Sequence, residues 1–184
     1  VPAWVDSFHH SFVTQMIANR GVVPSTCARH LPVDNFFYHF GFHANAAVLS
    51  WLTGLPSYRA VMLLGQLLNA LAVLTIYGLT VEWTERRWAG VVAAVVVGAL
   101  AYMPAYYVSW GRYTQLMGLV ILPPLLLATH LLFAGKGVPR GLWVVAVMLA
   151  TGLALSHYRV LVFYTLFWIP YAVFWLVRQR AAPQ

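Results

Sequence analysis

Apolar residues form long uninterrupted stretches in this chain, and polar residues are confined to the short segments between them. An α-helix needs about 20 apolar residues to cross the hydrocarbon core of a bilayer. Stretches that approach this length without a charged residue lie at 60–81, 89–109, 116–134, 141–156 and 160–177. The pattern therefore predicts an all-α, polytopic transmembrane helix bundle of about five spans. Prolines inside these stretches, such as Pro104, are expected to kink or begin helical segments.

Two weaker segments precede the first span. Residues 6–20 have the pattern of a short amphipathic helix, whereas residues 36–55 are aromatic and apolar but contain two histidines. A Gly-Leu-Pro sequence ends the second segment directly before a clear span, so an interfacial helix fits it better than a sixth span. We therefore divide the chain into an outer-face region with two interfacial helices, residues 1–59, and a single membrane domain, residues 60–184.

The composition also indicates a membrane protein. Of the 184 residues, 61% are hydrophobic and only 8% are charged, against about 25% charged residues in a typical soluble domain. A soluble chain of this length has too little interior to bury so much apolar surface. Because the sequence opens at Val1 with no leading hydrophobic span, we expect it to be a piece of a longer membrane protein.

The net charge of +7 arises from 11 Lys and Arg against 4 Asp and Glu. These bases are scattered between apolar stretches without a basic stripe, so we expect membrane flanking and no nucleic-acid partner. Alternating spans place the loops on two sides of the membrane. The bases are denser in segments 82–88, 135–140 and 178–184 than on the opposite side. This density predicts a multi-pass protein of the cell membrane with those three segments in the cytoplasm.

Four polar clusters interrupt the apolar pattern, and the predicted topology places all four on the outer side. They are DSFHH at 6–10, YHFGFH at 38–43, WGRYTQ at 110–115 and SHYR at 156–159. The spans were assigned from hydrophobic length alone. The common side of the clusters is therefore an independent indication of a functional site.

Two pairs in these clusters, Asp6 with His10 and His39 with His43, have the spacing of residues that share a helix face. Asp6, His9 and His10 offer carboxylate and imidazole ligands for a divalent cation such as Mg or Mn. Hydrogen bonding at the membrane interface is the competing interpretation of the histidines. Asp6 is one of only four acidic residues, and a carboxylate on this side can accept a proton from a sugar hydroxyl.

Arg112 is the candidate anion-binding residue. It lies between Trp110 and Tyr113, where a guanidinium can bind phosphate with two donors and the rings can stack on a sugar or sit among headgroups. At the end of the fourth predicted span, His157 and Arg159 again combine an arginine with an aromatic ring. The alternative interpretation is an interfacial aromatic belt with a snorkelling arginine.

The order of these features resembles the C-type glycosyltransferases, polytopic membrane enzymes that take sugars from polyprenyl-phosphate carriers. The resemblance rests on the early acid Asp6, on YHFGFH at 38–43, on LTGLP at 52–56 and on Arg59 opening a span. It covers most of the chain as the N-terminal half of such an enzyme. In that family the first-loop acid is the expected catalytic or metal-binding residue, a role that falls on Asp6 here. This chain departs from the family in having histidines where a second acid or a basic-proline motif is common.

Two functions are consistent with this pattern. The first is a membrane glycosyltransferase with a lipid-linked sugar donor, in which Asp6 acts as base or metal ligand. Its predicted substrate-binding residues are His39, His43, Arg112, Tyr113, His157 and Arg159. The alternative is a non-enzymatic integral subunit of a larger membrane complex. A transporter is disfavoured because the spans are nearly free of ionisable residues.

Overall fold

The computed structural model describes residues 5–27, 35, 38–134 and 137–181. Regular structure in this part of the chain is helical, which confirms the predicted all-α bundle. The helices are α1 (Val5–Arg20), α2 (Gly41–Thr53), α3 (Ser57–Thr84), α4 (Arg87–Val95), α5 (Ala105–Trp110), α6 (Tyr113–Ala134), α7 (Arg140–Ser156) and α8 (Tyr158–Ala181). A π-helical turn, Val96–Leu100, follows α4.

Four helical segments are long and apolar enough to cross a bilayer. They are α3, the interrupted segment Arg87–Trp110, α6, and Tyr158–Arg178 of α8. All four coincide with predicted spans. The remaining predicted span forms α7, which has 17 residues and is therefore about 25 Å long, somewhat less than the hydrocarbon thickness of about 30 Å. These segments identify the chain as a membrane protein.

Helices α3 and α6 form the centre of the bundle. They meet at Gly65, where an added Cβ would lie 2.5 Å from the ring of Tyr113. Tyr113 is fully buried, and its ring stacks on Phe42 of α2 with 5.5 Å between ring centroids. Further along both helices, Ala72 and Val120 belong to the same core cluster. The core therefore joins α2, α3 and α6, and α3 and α6 run in the same direction.

The segment after α3 returns antiparallel to it. Gly90 of α4 lies against Val81 and Tyr77, and Gly98 of the π-helical turn lies against Val73, which comes earlier in α3. A Cβ at Gly90 would lie 2.5 Å from the Val81 side chain. The absence of a side chain thus permits the close approach of these two helices.

Helix α8 runs parallel to α6, and α7 runs back between the end of α6 and the start of α8. Gly118, early in α6, contacts Val160 and His157, whereas Thr129 further along bonds the Tyr164 hydroxyl at 2.8 Å. His157 is the single extended residue that joins α7 to α8. The starts of α3, α6 and α8 therefore lie at one end of the bundle.

Helices α1 and α2 pack on this same end. Val13 and Ile17 of α1 form a buried cluster with Ala47 of α2. The Trp51 indole N–H donates a hydrogen bond to the Ala18 carbonyl at 3.0 Å. These contacts hold the two short helices, with their histidines, over the ends of the longer ones.

Candidate functional site

An ion pair between Asp6 and Arg112 lies at the edge of the α1–α2 end. Arg112 Nε is 3.0 Å from Asp6 Oδ2, and the side chains of Arg112 and Asp6 are 39% and 37% exposed. Arg112 Cζ also lies 4.6 Å from the ring centroid of Trp110, a cation–π distance. An exposed ion pair contributes only about 0–1 kcal/mol to stability. A ligand can therefore replace one partner of this pair at little cost.

Gly111 sets the position of Arg112. It ends α5 with φ +74°, and a side chain here would collide with the Ser7 hydroxyl of α1. The next backbone N–H, that of Arg112, donates to the Tyr107 carbonyl at 2.9 Å. A positive φ and the lack of Cβ are both properties of glycine. Because of them, the α5–α6 turn passes directly against the first turn of α1 and brings Arg112 to Asp6.

Behind the ion pair, His10 of α1 and His43 of α2 form a buried hydrogen bond. The distance between His10 Nδ1 and His43 Nε2 is 2.9 Å, and the side chains are 2% and 0% exposed. Burial, together with the neighbouring histidines, lowers the pKa of His10 to about 3 and places the pKa of His43 well below its usual range. Both rings are uncharged at neutral pH, so one donates its N–H and the other accepts it.

Three more histidines extend this group, so that five of the seven histidines of the chain lie together. The ring centroid of His9 is 6.3 Å from that of His43, and the centroids of His39 and His157 are 4.9 Å apart. Burial lowers the pKa of all three rings, that of His39 to about 4. Nearby Arg159 and Arg112 lower the pKa of His157 further. We call His9, His10, His39, His43 and His157 the histidine cluster.

The histidine cluster has unused hydrogen-bonding capacity. His9 Nε2, His39 Nε2 and His157 Nδ1 are buried and have no hydrogen-bond partner among the residues that the structure describes. An unsatisfied buried polar atom costs about 1–3 kcal/mol, so three of them in one place are unusual for a purely structural region. Neutral imidazoles can donate or accept, which suits hydroxyl groups of a polar ligand.

A metal site does not emerge from this geometry. Among the residues that the structure describes, no group of three or more His, Cys, Asp or Glu side chains is arranged to hold a metal ion. Asp6 faces Arg112, and His10 uses its Nδ1 to bond His43. The Mg or Mn site at Asp6, His9 and His10 stays a prediction.

The other two predicted substrate-binding residues are Tyr113 and Arg159. Tyr113 is fully buried beneath the histidine cluster, with its ring centroid 5.8 Å from that of His10, so the structure gives it a packing position. Arg159 is exposed at the start of α8, and its Nε donates to the Tyr158 hydroxyl at 3.3 Å. Arg159 lies at the exposed edge of the histidine cluster, close to His157.

Tyr38 is a member of the site that sequence reasoning did not select. Its ring stacks on His39 with 4.1 Å between centroids, and it meets His9 edge-on at 4.8 Å. The available signal was its place at the head of the YHFGFH segment, directly before a selected histidine. Tyr38 links the histidines of α1 to those preceding α2, and its aromatic face adds a stacking surface to the site.

Comparison with known proteins places this chain in a family. A family model described as a family of unknown function (DUF6541) matches residues 1–184, which is the whole chain. No curated protein and no solved structure matches it. The chain with the Asp6–Arg112 pair and the histidine cluster therefore belongs to the DUF6541 family.

Proposed function

We propose that this protein is a multi-pass protein of the cell membrane that transfers a sugar from a polyprenyl-phosphate carrier at the outer face. The observation that carries the proposal is the half-exposed Asp6–Arg112 ion pair. It sets a carboxylate, which can accept a proton, beside a guanidinium, which can bind phosphate. The histidine cluster and Tyr38 behind the pair supply uncharged hydrogen-bonding groups and an aromatic face suited to a sugar.

In the proposed reaction, an acceptor hydroxyl oxygen forms a bond to the anomeric carbon of the donor sugar. The bond between that carbon and the phosphate oxygen breaks, and polyprenyl phosphate leaves with one additional negative charge. Arg112 stabilises this charge with a two-pronged contact. Asp6 takes the proton of the acceptor hydroxyl and becomes neutral, so the total charge of the site is unchanged by the transfer.

The ion pair also suggests how the base becomes available. A donor phosphate competes with Asp6 for Arg112, and the exposed pair is weak enough to be exchanged. The released carboxylate then lies next to the phosphate, where the acceptor hydroxyl must approach. The outward orientation is supported by the density of bases at the opposite end of the bundle, where Arg86, Arg87 and Arg140 lie in short segments between spans.

The test is sugar transfer by the full-length protein in liposomes, with a panel of polyprenyl-phosphate hexoses as donors. We expect Asp6→Asn to lower transfer by about 10²–10⁴-fold, the usual contribution of a general base, while the melting temperature is retained. Glu82→Gln is the matched control, since Glu82 is an exposed acid at the far end of α3. Undiminished transfer by Asp6→Asn would remove the base from the proposal. Absence of transfer by the unmodified protein with every donor would favour a non-enzymatic membrane subunit.

A further inference from the structure

Gln66 is a polar side chain on the outer surface of α3, at a depth where the bilayer is hydrocarbon. It is the tenth residue of α3 and lies about 14 Å from the start of this helix. Helix α3 is about 42 Å long, which exceeds the hydrocarbon thickness of about 30 Å by about 12 Å. Even if all of this excess lay at the start of α3, Gln66 would be within the hydrocarbon. Its side chain is exposed and makes no hydrogen bond to the residues that the structure describes.

The interruption of the second span leaves Gln66 uncovered. The chain departs from the α-helix at the π-helical turn Val96–Leu100 and is not helical at 101–104. Gly98 of this turn lies against Val73 of α3. Gln66 is on the same face of α3 as Val73, two turns nearer the start. The returning chain reaches that level only after it has left the helix, so no helix of the second span packs on Gln66.

Both features favour a protein partner over lipid. The interruption lies about 20 Å from the start of the second span and is therefore within the hydrocarbon. A helix end has carbonyl groups without intrahelical partners, and non-helical backbone at this depth requires protein or a water-filled cavity beside it. Leu100 and Tyr102, at the interruption, are 73% and 69% exposed. Lipid tails offer no hydrogen bond, so an amide or carbonyl that faces them carries the full cost of desolvation.

Apolar side chains extend this exposed face along α3. Leu63, Leu67 and Leu74 are 40%, 47% and 65% exposed, and Ala70 is exposed as well. Together with Gln66 they recur at spacings of three and four residues, which is the pattern of one helix face. Ala70 lies one turn from Gln66, and its small side chain permits the close approach of a second helix. We call Leu63, Gln66, Leu67, Ala70 and Leu74 the α3 surface.

We propose that the α3 surface is the interface of a homodimer in the membrane, independently of any sugar transfer. Two copies with the same orientation are related by a two-fold axis along the membrane normal, so each residue near the axis meets its own counterpart at the same depth. A glutamine amide is self-complementary, because it has both N–H donors and a carbonyl acceptor. Gln66 therefore bonds Gln66 of the second copy, whereas a different helix would need its own polar side chain at this depth. Arg59 shares this face at the start of α3, where its long side chain reaches the headgroups and water, away from its counterpart.

The test is energy transfer between donor-labelled and acceptor-labelled copies of the full-length protein in phosphatidylcholine liposomes, over a range of protein-to-lipid ratios. We expect the unmodified protein to dimerise and Gln66→Leu to weaken dimerisation about 5–30-fold, the effect of losing interhelical hydrogen bonds in a membrane. Gln15→Leu is the matched control, because Gln15 is exposed on α1, outside the α3 surface. Dimerisation of Gln66→Leu that equals that of the control would refute the pairing of the amides. An unmodified protein that is monomeric at every ratio would overturn the homodimer and leave the α3 surface to a different membrane helix.

Disulfide crosslinking locates the interface without removing the amide. In a Cys27→Ser background, Leu63→Cys and Ala70→Cys lie on the α3 surface and should form disulfide-linked dimers on oxidation. Val147→Cys is the control, because Val147 is 62% exposed on α7, away from that surface. Crosslinking at Val147→Cys but at neither α3 position would place the contact on another face and overturn the proposal.

Discussion

At the scale of the residue, the contact between Arg112 and Asp6 depends on Gly111 having no side chain. Gly111→Ala would place an alanine at φ +74° and push its methyl group into the Ser7 hydroxyl. We expect a loss of about 1–2 kcal/mol from the left-handed backbone alone, with a further loss from the collision. The measurement is the melting temperature of the purified protein. Gly54→Ala is the matched control, because Gly54 has φ +70° and no atom of the described residues lies within 4 Å of the added carbon. Equal destabilisation by both substitutions would contradict a specific role for the Ser7 contact.

The members of the site could be selected from the sequence, but their pairing could not. Asp6 and Arg112 are conspicuous because charged residues are rare in this chain. Their contact depends on the turn at Gly111, and no periodicity relates residues so far apart in the sequence. The sequence also could not show whether the Tyr113 ring lies at the membrane interface or in the core. An aromatic residue beside an arginine is typical of both a membrane interface and a core, and only its contact with Gly65 places the ring inside.

At the scale of the element, the packing of α1 on α2 should depend on pH. His10 and His43 are uncharged in the folded protein because burial lowers their pKa values, that of His10 to about 3. In an undocked α1 the histidine pKa returns toward about 6.5, so the undocked state binds more protons below that pH. The docked state is therefore fully favoured above pH 6.5 and loses stability as pH falls toward 3. The slope is at most about 1.4 kcal/mol per pH unit for each proton.

Other ionisable groups near His10 and His43 also change the stability of α1 docking over this pH range. His9 and His39 also have lowered pKa values, so they make the loss of docking stability with falling pH steeper. The negative charge of Asp6 raises the pKa of His9 and reduces this loss. The positive charge of Arg112 lowers the pKa of His10 and increases it. The measurement is hydrogen exchange of the α1 amides between pH 8 and 5, corrected for intrinsic rates, with the amides of α8 as internal control. We expect protection of α1 to fall with pH and His10→Gln to flatten the dependence. Protection that is independent of pH would refute the prediction.

The spans were well predicted because hydrophobic length is the property that a bilayer requires of a helix. The predicted stretch at 116–134 became α6, and that at 141–156 became α7, each with nearly the same limits. The interruption of the second span was not predicted beyond the expectation that Pro104 disturbs a helix. Hydropathy reports which residues can face lipid and carries no information on the backbone path. The π-helical turn therefore required the structure.

At the scale of the whole molecule, the two ends of the bundle differ in their chemistry. One end holds the ion pair and the neutral histidine cluster together with exposed Arg20, Arg59 and Arg159. At the other end the exposed arginines, among them Arg86, Arg87 and Arg178, lie in short segments and are therefore denser along the chain. Cationic residues are retained on the cytoplasmic side of membrane proteins. The higher density of bases at the second end predicts that this end faces the cytoplasm, and the proposed outer-face reaction depends on this orientation.

Cysteine labelling in intact cells tests this orientation. In a Cys27→Ser background, Gln15→Cys lies on the exposed face of α1 and Thr84→Cys at the opposite end of α3. We expect a membrane-impermeant maleimide to label Gln15→Cys in intact cells and Thr84→Cys only after permeabilisation, because α3 is long enough to separate them by a bilayer. The reverse pattern would place the Asp6–Arg112 pair in the cytoplasm and exclude transfer at the outer face. Labelling of both positions in intact cells would show that α3 does not cross the membrane.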